Sequence, residues 1–423
     1  MSGSRKTFDR HDAEPASCPV VSEYNVRPLA ESEFRDASRV FLASLHHPAP
    51  TDEQWQRSSS RYEPGRVFGA FRGGELVGTT MALSSSIAVP GGEVLPASAV
   101  TGVGVRADHT RRGVLRSLMR TQLDDVRARG EPVAMLHASE AVIYGRFGYG
   151  EGTRTRTVSL DTHRAVLHAQ APSGGSIRLV GKDEAGKLLP DLYRRIASSR
   201  PGTISRSEGW WDSRLGVLSG AQMVVAVHTG DDGEDDGFAL YEVSKNDHRF
   251  DDGVCTLQVS DLQSADAVAT ASLWRFLLGV DLVDRVVAID RPVDEPLEWL
   301  LTDRRTCRVS SIQDDLWLRL VDVPAALAAR RYGAAEPVVI EVRDDFLPEN
   351  SGIYRIGPEG MRRSDARPQL GLGVDVLASL YLGDAGVSAL AAANRLEVHD
   401  RSAVAEADRL FATAETPWCG TGF

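Results

Sequence analysis

The 423-residue chain has no apolar run of about twenty residues, which leaves no candidate for a membrane-spanning helix. Cysteine is scarce and scattered. Cys18, Cys255, Cys307 and Cys419 show no CxxC and no Cys/His spacing for zinc, so they read as reduced thiols of a cytoplasmic protein, and no metal site is expected. No GxSxG occurs, and His46, His47 and His109 fall in no triad or metal pattern. Basic residues are outnumbered, 48 Lys+Arg against 59 Asp+Glu, for a net charge of −11. Such a chain lacks the basic footprint that nucleic acid requires, and no nucleic-acid partner is expected. An acidic surface suits a cationic substrate through steering, although solubility alone accounts for it equally well. Residues 1–22 are polar, interrupted by Pro15 and Pro19, and without a signal-peptide core; they read as a disordered lead-in.

What is present divides into three blocks, 23–165, 176–312 and 313–423. The first opens with a helical stretch, Glu31–Leu45. A hairpin follows in which the apolar runs Val67–Phe71 and Leu76–Leu83 flank Arg72-Gly73-Gly74. Val100–Val105 reads as a strand, and after an intervening helix so does Pro132–His137. Ala171–Ser176 is a linker rich in small residues and turn formers. The second block repeats the order of the first: strands at Phe238–Val243 and Cys255–Val259, a helix at Ala267–Leu278, a strand at Val286–Ile289. The third begins with Leu316–Val323 and carries helical segments at Ala325–Arg331, Val374–Leu382, Val387–Asn394 and Ser402–Thr413.

The chemistry concentrates in Thr101–Arg116. Val103 and Val105 alternate with glycines as at a strand end, and Asp108 is placed to cap the next helix. Val114, Leu115, Leu118, Met119, Leu123 and Val126 then form one apolar stripe. The first turn of that helix breaks a rule. A helix N-terminus is partially positive and favours acidic residues, yet this one carries Arg111 and Arg112, followed by Gly113. An anion resolves the conflict: Gly113 lets a phosphate approach the backbone, and the arginines neutralise it. The alternative is that the arginines simply project into water. Gly102-x-Gly104-x-x-Ala107 also fits a relaxed dinucleotide fingerprint, but its glycines lie within the strand rather than in the turn after it, which argues against a Rossmann unit. Trp55, Phe34 and Tyr62 are candidates to stack on a sugar or cation in an acceptor pocket, with core packing the favoured alternative.

Thr110–Met119 (TRRGVLRSLM) and His137–Gly150 (HASEAVIYGRFGYG) resemble the GNAT-type acetyltransferases, specifically the enhanced intracellular survival (Eis) family. Similarity of organisation extends through Leu316–Pro324, Tyr381–Gly383, Ala391–Leu396 and the terminal Phe423. The sequence departs from the general RxxGx(G/A) motif at Thr110, in place of a basic residue, and at Leu115, where a small one is usual. The resemblance implies an α/β (α+β) architecture: two tandem GNAT-type domains with mixed sheets flanked by helices, then a sterol-carrier-like domain. Because the stretch after Val259 has neither arginine nor glycine, only the first domain is expected to bind coenzyme A.

By the same resemblance, Val103, Gly104 and Val105 would offer backbone groups to pantetheine. Arg111, Arg112, Gly113, Val114, Leu115 and Arg116 would hold the phosphates, and Ser139 and Glu140 would contact coenzyme A near the next strand. Tyr144 would be the general acid and the Phe423 carboxylate, threaded into the first domain's site, the base. The implied reaction moves acetyl from acetyl-CoA, a co-substrate, to an amine, with no metal. The implied acceptor is a small cationic compound such as an aminoglycoside, with protein or peptide lysine as the alternative, and the implied assembly is a homohexamer. A reading from a different class is a non-catalytic acyl-CoA- or lipid-binding protein that uses the third domain.

Overall fold

The computed structural model describes residues 23–197, 200–217, 223–245 and 254–423. The lead-in expected at 1–22, with Cys18, lies outside the described residues. In chain order the elements are β1 (Asn25–Pro28), α1 (Phe34–Ser44), α2 (Asp52–Ser58), β2 (Val67–Arg72), β3 (Glu75–Ala88), β4 (Val94–Val105), α3 (Val114–Ala128), β5 (Val133–Leu136), α4 (Ala141–Tyr144) and β6 (Gly150–Glu151). Next come β7 (Arg154–Asp161), β8 (Ser176–Val180), α5 (Lys182–Ile196), α6 (Glu208–Val217), β9 (Val224–Thr229), β10 (Asp235–Lys245), β11 (Cys255–Ser264), α7 (Ala267–Leu278), β12 (Arg285–Pro292), α8 (Leu297–Leu300) and β13 (Cys307–Asp314). The chain closes with β14 (Trp317–Leu320), α9 (Val323–Ala329), β15 (Val338–Arg343), β16 (Gly352–Gly357), β17 (Gly360–Arg363), β18 (Leu370–Gly373), α10 (Val374–Tyr381), α11 (Val387–Ala392), β19 (Leu396–Val398) and α12 (Ser402–Phe411).

Three sheets result, in the orders β1-β2-β3-β4-β5-β14-β6, β13-β7-β12-β11-β10-β9-β8 and β17-β16-β15-β18-β19. The hairpin between β2 and β3 closes on Gly73 and Gly74, whose φ values of 58° and 87° suit a two-residue turn that matches strand twist. On the first sheet, α3 buries Val114, Leu118, Met119, Leu123 and Val126, while Leu115 stays half-exposed. The second sheet is covered by α7, through Leu273, Trp274 and Leu277, and by α5 and α6 packed as a separate cluster. One continuous core joins the first sheet to the third, from Val133 and Met135 to Leu377 and Tyr381.

The sheets do not follow the three sequence blocks. β7 pairs with β12 and β13 in the second sheet, although it continues directly from the first. β14 returns from the second sheet to pair with β5 and β6 in the first. Local periodicity specifies that these segments are strands but carries no information about their distant partners.

Of two buried arginines, one ties the third unit to the first sheet and the other closes the third unit on itself. Arg319 on β14 and Asp344 form an ion pair in which both side chains are fully buried, and Asp344 also accepts from Asn350 and two backbone amides. Arg330 has no carboxylate partner among the described residues. Its guanidinium donates to the carbonyls of Leu380, Tyr381 and Phe411, at the C-terminal ends of α10 and α12, and burial pulls its pKa down to about 10. Helix C-termini leave such carbonyls unpaired and partially negative, so one fork of donors closes two helix ends. Arg330→Met keeps much of the volume but strands those acceptors. A loss of about 3 kcal/mol or more is expected, read as a lowered melting temperature, with Arg330→Lys recovering only part of it.

Candidate active site

The site begins where two strands part. β4 and β5 pair in parallel only at Ala97–Val133, Ser98–Ala134 and Ala99–Met135, yet β4 runs on to Val105. A bulge against β3, between the pairs Thr79–Gly104 and Met81–Thr101, accompanies the parting, with Gly102 at φ 61°. Along Thr101–Val105 the backbone on the β5 side therefore faces a wedge rather than a ladder. Gly104 serves a different neighbour: a Cβ there would lie 2.6 Å from Ser44 Oγ and 3.0 Å from Phe41 Cα, so its absence lets α1 pack against β4. The glycines sit inside an antiparallel-paired strand, the context that excludes the dinucleotide fingerprint.

At the outer end of the wedge the chain turns through Arg111 (φ 60°) and Gly113 (φ 84°) into α3. No side chain caps α3, and no acidic residue occupies its first turn. Asp108, expected as that cap, instead binds Arg106, because it sits in a separate turn ahead of Arg111. Arg111, Arg112 and Gly113 are exposed, and a Cβ on Gly113 would meet nothing within 4 Å. Among the described residues Arg111, Arg112 and Arg116 make no ion pair, although Arg116 lies over the Phe346 ring at 5.2 Å. The result is an open helix N-terminus flanked by free guanidinium groups, an arrangement suited to a diphosphate. In the second sheet the equivalent helix, α7, is closed: Asp266 accepts from the amides of Val268 and Ala269.

Tyr144 lies under the wedge. Its buried ring shares one apolar cluster with Val100 and Tyr149, against which Val103, Leu115 and Ala138 pack. The hydroxyl makes no hydrogen bond with a described residue, and burial pushes the phenol above its usual range. Ser139 and Glu140 are exposed in the turn that leads into α4. Gly148, at φ 84°, brings this loop onto Arg319: a Cβ there would lie 2.7 Å from the guanidinium carbon. The loop bearing Tyr144 thus rests on the buried Arg319–Asp344 pair.

The C-terminal residues reach the same place. The Phe423 ring lies 4.7 Å from His137, which follows β5 directly. His137 Nε2 is 3.0 Å from the Thr421 carbonyl and Nδ1 is 2.9 Å from that of Asp315. Carbonyls only accept, so both contacts are hydrogen bonds only when both ring nitrogens carry protons. Asp290, Asp314 and Asp315 line a 330 Å³ cavity with His137 and Gly422. Burial raises Asp290 and Asp315, opposed by the nearby His137. A second cavity of 380 Å³, bordered by Phe423, Trp210, Arg61 and Asp290, adjoins the tail. A third, of 540 Å³, extends from Thr101 and Gly102 past Met81 to Tyr62 and Arg61.

Of the three aromatics proposed for an acceptor pocket, Tyr62 lines this last cavity. Phe34 and Trp55 do not line it; they pack against Tyr62 with ring centroids 5.6 and 5.2 Å away. Sequence reasoning did not single out His137, Asp290 or Asp315. His137 stands at the end of a readable strand, which is a usable signal. The aspartates come from β12 and the turn after β13, brought in by pairings that no local pattern reveals. Cys255, Cys307 and Cys419 are buried free thiols, and the Cys419 thiol is pushed well above its ordinary value by burial. No described helix is long and apolar enough to cross a membrane.

Comparison with known proteins identifies the domains and the family. Residues 25–152 and 202–320 each match the acetyltransferase (GNAT) domain, and 323–420 match the sterol carrier protein domain. An uncharacterised N-acetyltransferase of Streptomyces avermitilis is 40% identical over 94% of this chain and 99% of its own length. The N-acetyltransferase Eis of Mycobacterium tuberculosis is 38% identical over 82% of this chain and 85% of its own. The crystal structure of Eis1 from Mycobacterium abscessus superposes with a TM-score of 0.86 at 36% identity, over 95% of this chain and all of that one. A GCN5-related N-acetyltransferase from Anabaena variabilis shares the fold at 19% identity, with a TM-score of 0.82. With two acetyltransferase domains, a sterol-carrier-like third unit and this level of identity, the chain belongs to the Eis family of GNAT N-acetyltransferases.

Proposed function

We propose that the protein transfers acetyl from acetyl-CoA to an amino group of a small cationic acceptor, an aminoglycoside or a compound of similar charge, at the first domain's wedge. The observation that carries this reading is the convergence of the open α3 terminus, Tyr144 and the C-terminal tail on one parting of strands. The diphosphate of coenzyme A would lie against Arg111, Arg112 and Arg116 and the amides of Gly113, Val114 and Leu115. Pantetheine would run along Val103, Gly104 and Val105, with Ser139 and Glu140 on its other side. Phe34 and Trp55 would act on the acceptor through Tyr62, which they buttress. Cationic charge is favoured by Asp290, Asp314 and Asp315 beside Gly422; an amine on a flexible lysine side chain meets the same carboxylates and is the second reading.

In the reaction the Phe423 carboxylate takes a proton from the ammonium, and the freed amine attacks the thioester carbonyl. Backbone N–H groups in the wedge polarise that carbonyl as negative charge develops on its oxygen. Collapse breaks the C–S bond, Tyr144 gives its proton to the departing thiolate, and the second proton shed by the acylated nitrogen restores the phenol. A desolvated phenol keeps its proton to higher pH than an exposed one, so it stays in the donating form throughout the neutral range.

Tyr144→Phe should lower kcat by about 10²–10⁴-fold, followed as thiol release with a panel of amines, while the KM for acetyl-CoA stays within a few-fold. Since the raised phenol is protonated below its pKa, kcat of the parent enzyme should show no alkaline fall below about pH 10 from this group. A clear loss near pH 8 would remove Tyr144 as the acid.

Arg111→Ala and Arg112→Ala should each raise the KM for acetyl-CoA by roughly 10-fold or more through lost charge-assisted hydrogen bonds, with little change in kcat. Unchanged affinity in the double variant, measured by titration with coenzyme A, would place the diphosphate elsewhere.

A further inference from the structure

The second domain repeats the parting of strands seen in the first. β11 and β12 pair in parallel from Thr256–Arg285 to Val259–Ala288, after which β11 continues to Ser264 and β12 to Pro292. The first domain's wedge is open; this one is filled. Arg291 donates to the Leu262 carbonyl at 2.7 Å and pairs with Glu295, which also accepts from the Trp274 indole. The C-terminal tail occupies the mouth. The Trp418 indole N–H donates to the Asp290 carbonyl at 2.8 Å, its backbone N–H donates to Pro201, and Arg291 lies over its ring at 5.3 Å. Asp290 takes φ 53° at a register shift between β12 and β7, so its carbonyl is turned out of the ladder toward the indole.

Beyond Trp418 the tail is gripped through two carbonyls and the Thr421 hydroxyl. Arg206, with no exposed side-chain surface, pairs with Asp261 at 2.6 Å on the stretch of β11 past its last parallel partner. The same guanidinium donates to Thr421 Oγ1 at 3.1 Å and to the Gly420 carbonyl at 3.3 Å. It is sandwiched by Tyr193 and Trp210, at 3.9 and 4.4 Å, and the Trp210 indole donates to the Gly422 carbonyl at 2.6 Å. Gly420, at φ 58°, folds the tail onto its own anchor; a Cβ there would overlap the Trp418 ring at 2.1 Å. Three consecutive residues before Phe423 are therefore fixed in register by groups of the second domain.

We propose that the second domain's relic of the cofactor wedge is the socket for the C-terminal tail, and that Arg206, held by Asp261, is a positioning residue that sets where the terminal carboxylate lies. This rests on the reading of that carboxylate as the base. The guanidinium donates two bonds to Asp261 and one each to Gly420 and Thr421, more than the three donors of an ammonium allow. The duplicated domain thereby serves the reaction of its twin without binding coenzyme A.

The test is a double-mutant cycle between Arg206→Lys and deletion of Phe423, with kcat, KM for acetyl-CoA and melting temperature measured for each protein. Lysine preserves the charge facing Asp261 and removes the fork. Expected is a fall in kcat of at least 10-fold in the full chain, an unchanged KM for acetyl-CoA, and less than a two-fold further effect of Arg206→Lys once Phe423 is absent. The same factor in both backgrounds would overturn the proposal, since Arg206 would then act without the tail. So would full activity of Arg206→Lys alongside a dead deletion variant, which leaves the base assignment standing. A fully active deletion variant would remove the base and the proposal together. Should Arg206→Lys melt early, Trp418→Phe, which deletes one indole donor, takes its place in the cycle with the same expectations.

Discussion

The constraint on which the molecule depends is the unpaired length of β4. A strand that leaves its parallel partner after Ala99 carries backbone donors and acceptors that must be satisfied from elsewhere. Along the wedge this obligation leaves backbone groups of β4 open on the β5 side. The placement of α3, whose N-terminus opens beside Val105, and of the loop from His137 to Tyr144, which leaves the end of β5, follows from that divergence. The bulge at Gly102 and the close approach of α1 at Gly104 hold β4 in the required shape.

Two copies of one topology show how little sequence separates an open helix terminus from a closed one. In α3 the N-cap is Gly113, left-handed and without a side chain; in α7 it is Asp266, whose carboxylate accepts two amides. One keeps its partial charge available to a ligand, and the other neutralises it internally. The basic pair ahead of Gly113 strengthens the difference, since no described residue pairs with it.

Much of this was legible in the residues themselves. The hairpin at Gly73–Gly74, the apolar stripe of α3 and the strand–helix–strand run of the second domain all follow from local periodicity and turn chemistry; Arg111 and Arg112, expected in the first turn of α3, instead precede its N-cap, Gly113. Asp108 misled, because an acceptor placed ahead of a helix caps it only when it is the residue adjoining the first turn; here Arg106 captured it. Arg206 and Asp261 are 55 positions apart in the chain, and Arg206 and Gly420 are 214 apart. Such pairs have no period and no spacing. Phe34 and Trp55 were read as either wall or core, and only the position of Tyr62 in front of them distinguishes the two.

The exchange of strands between sheets has a consequence for biosynthesis. β14 lies between β5 and β6 in the first sheet, so a nascent chain that has delivered everything from Asn25 to Glu151 still lacks the strand that joins them. Until Leu320 leaves the ribosome, the edge of β5 is exposed, Met135 lacks its partner Leu318 and Leu136 lacks Trp317. Completion of the first sheet thus waits, with a hydrogen-bonding edge open at β5, for most of the polypeptide to be made.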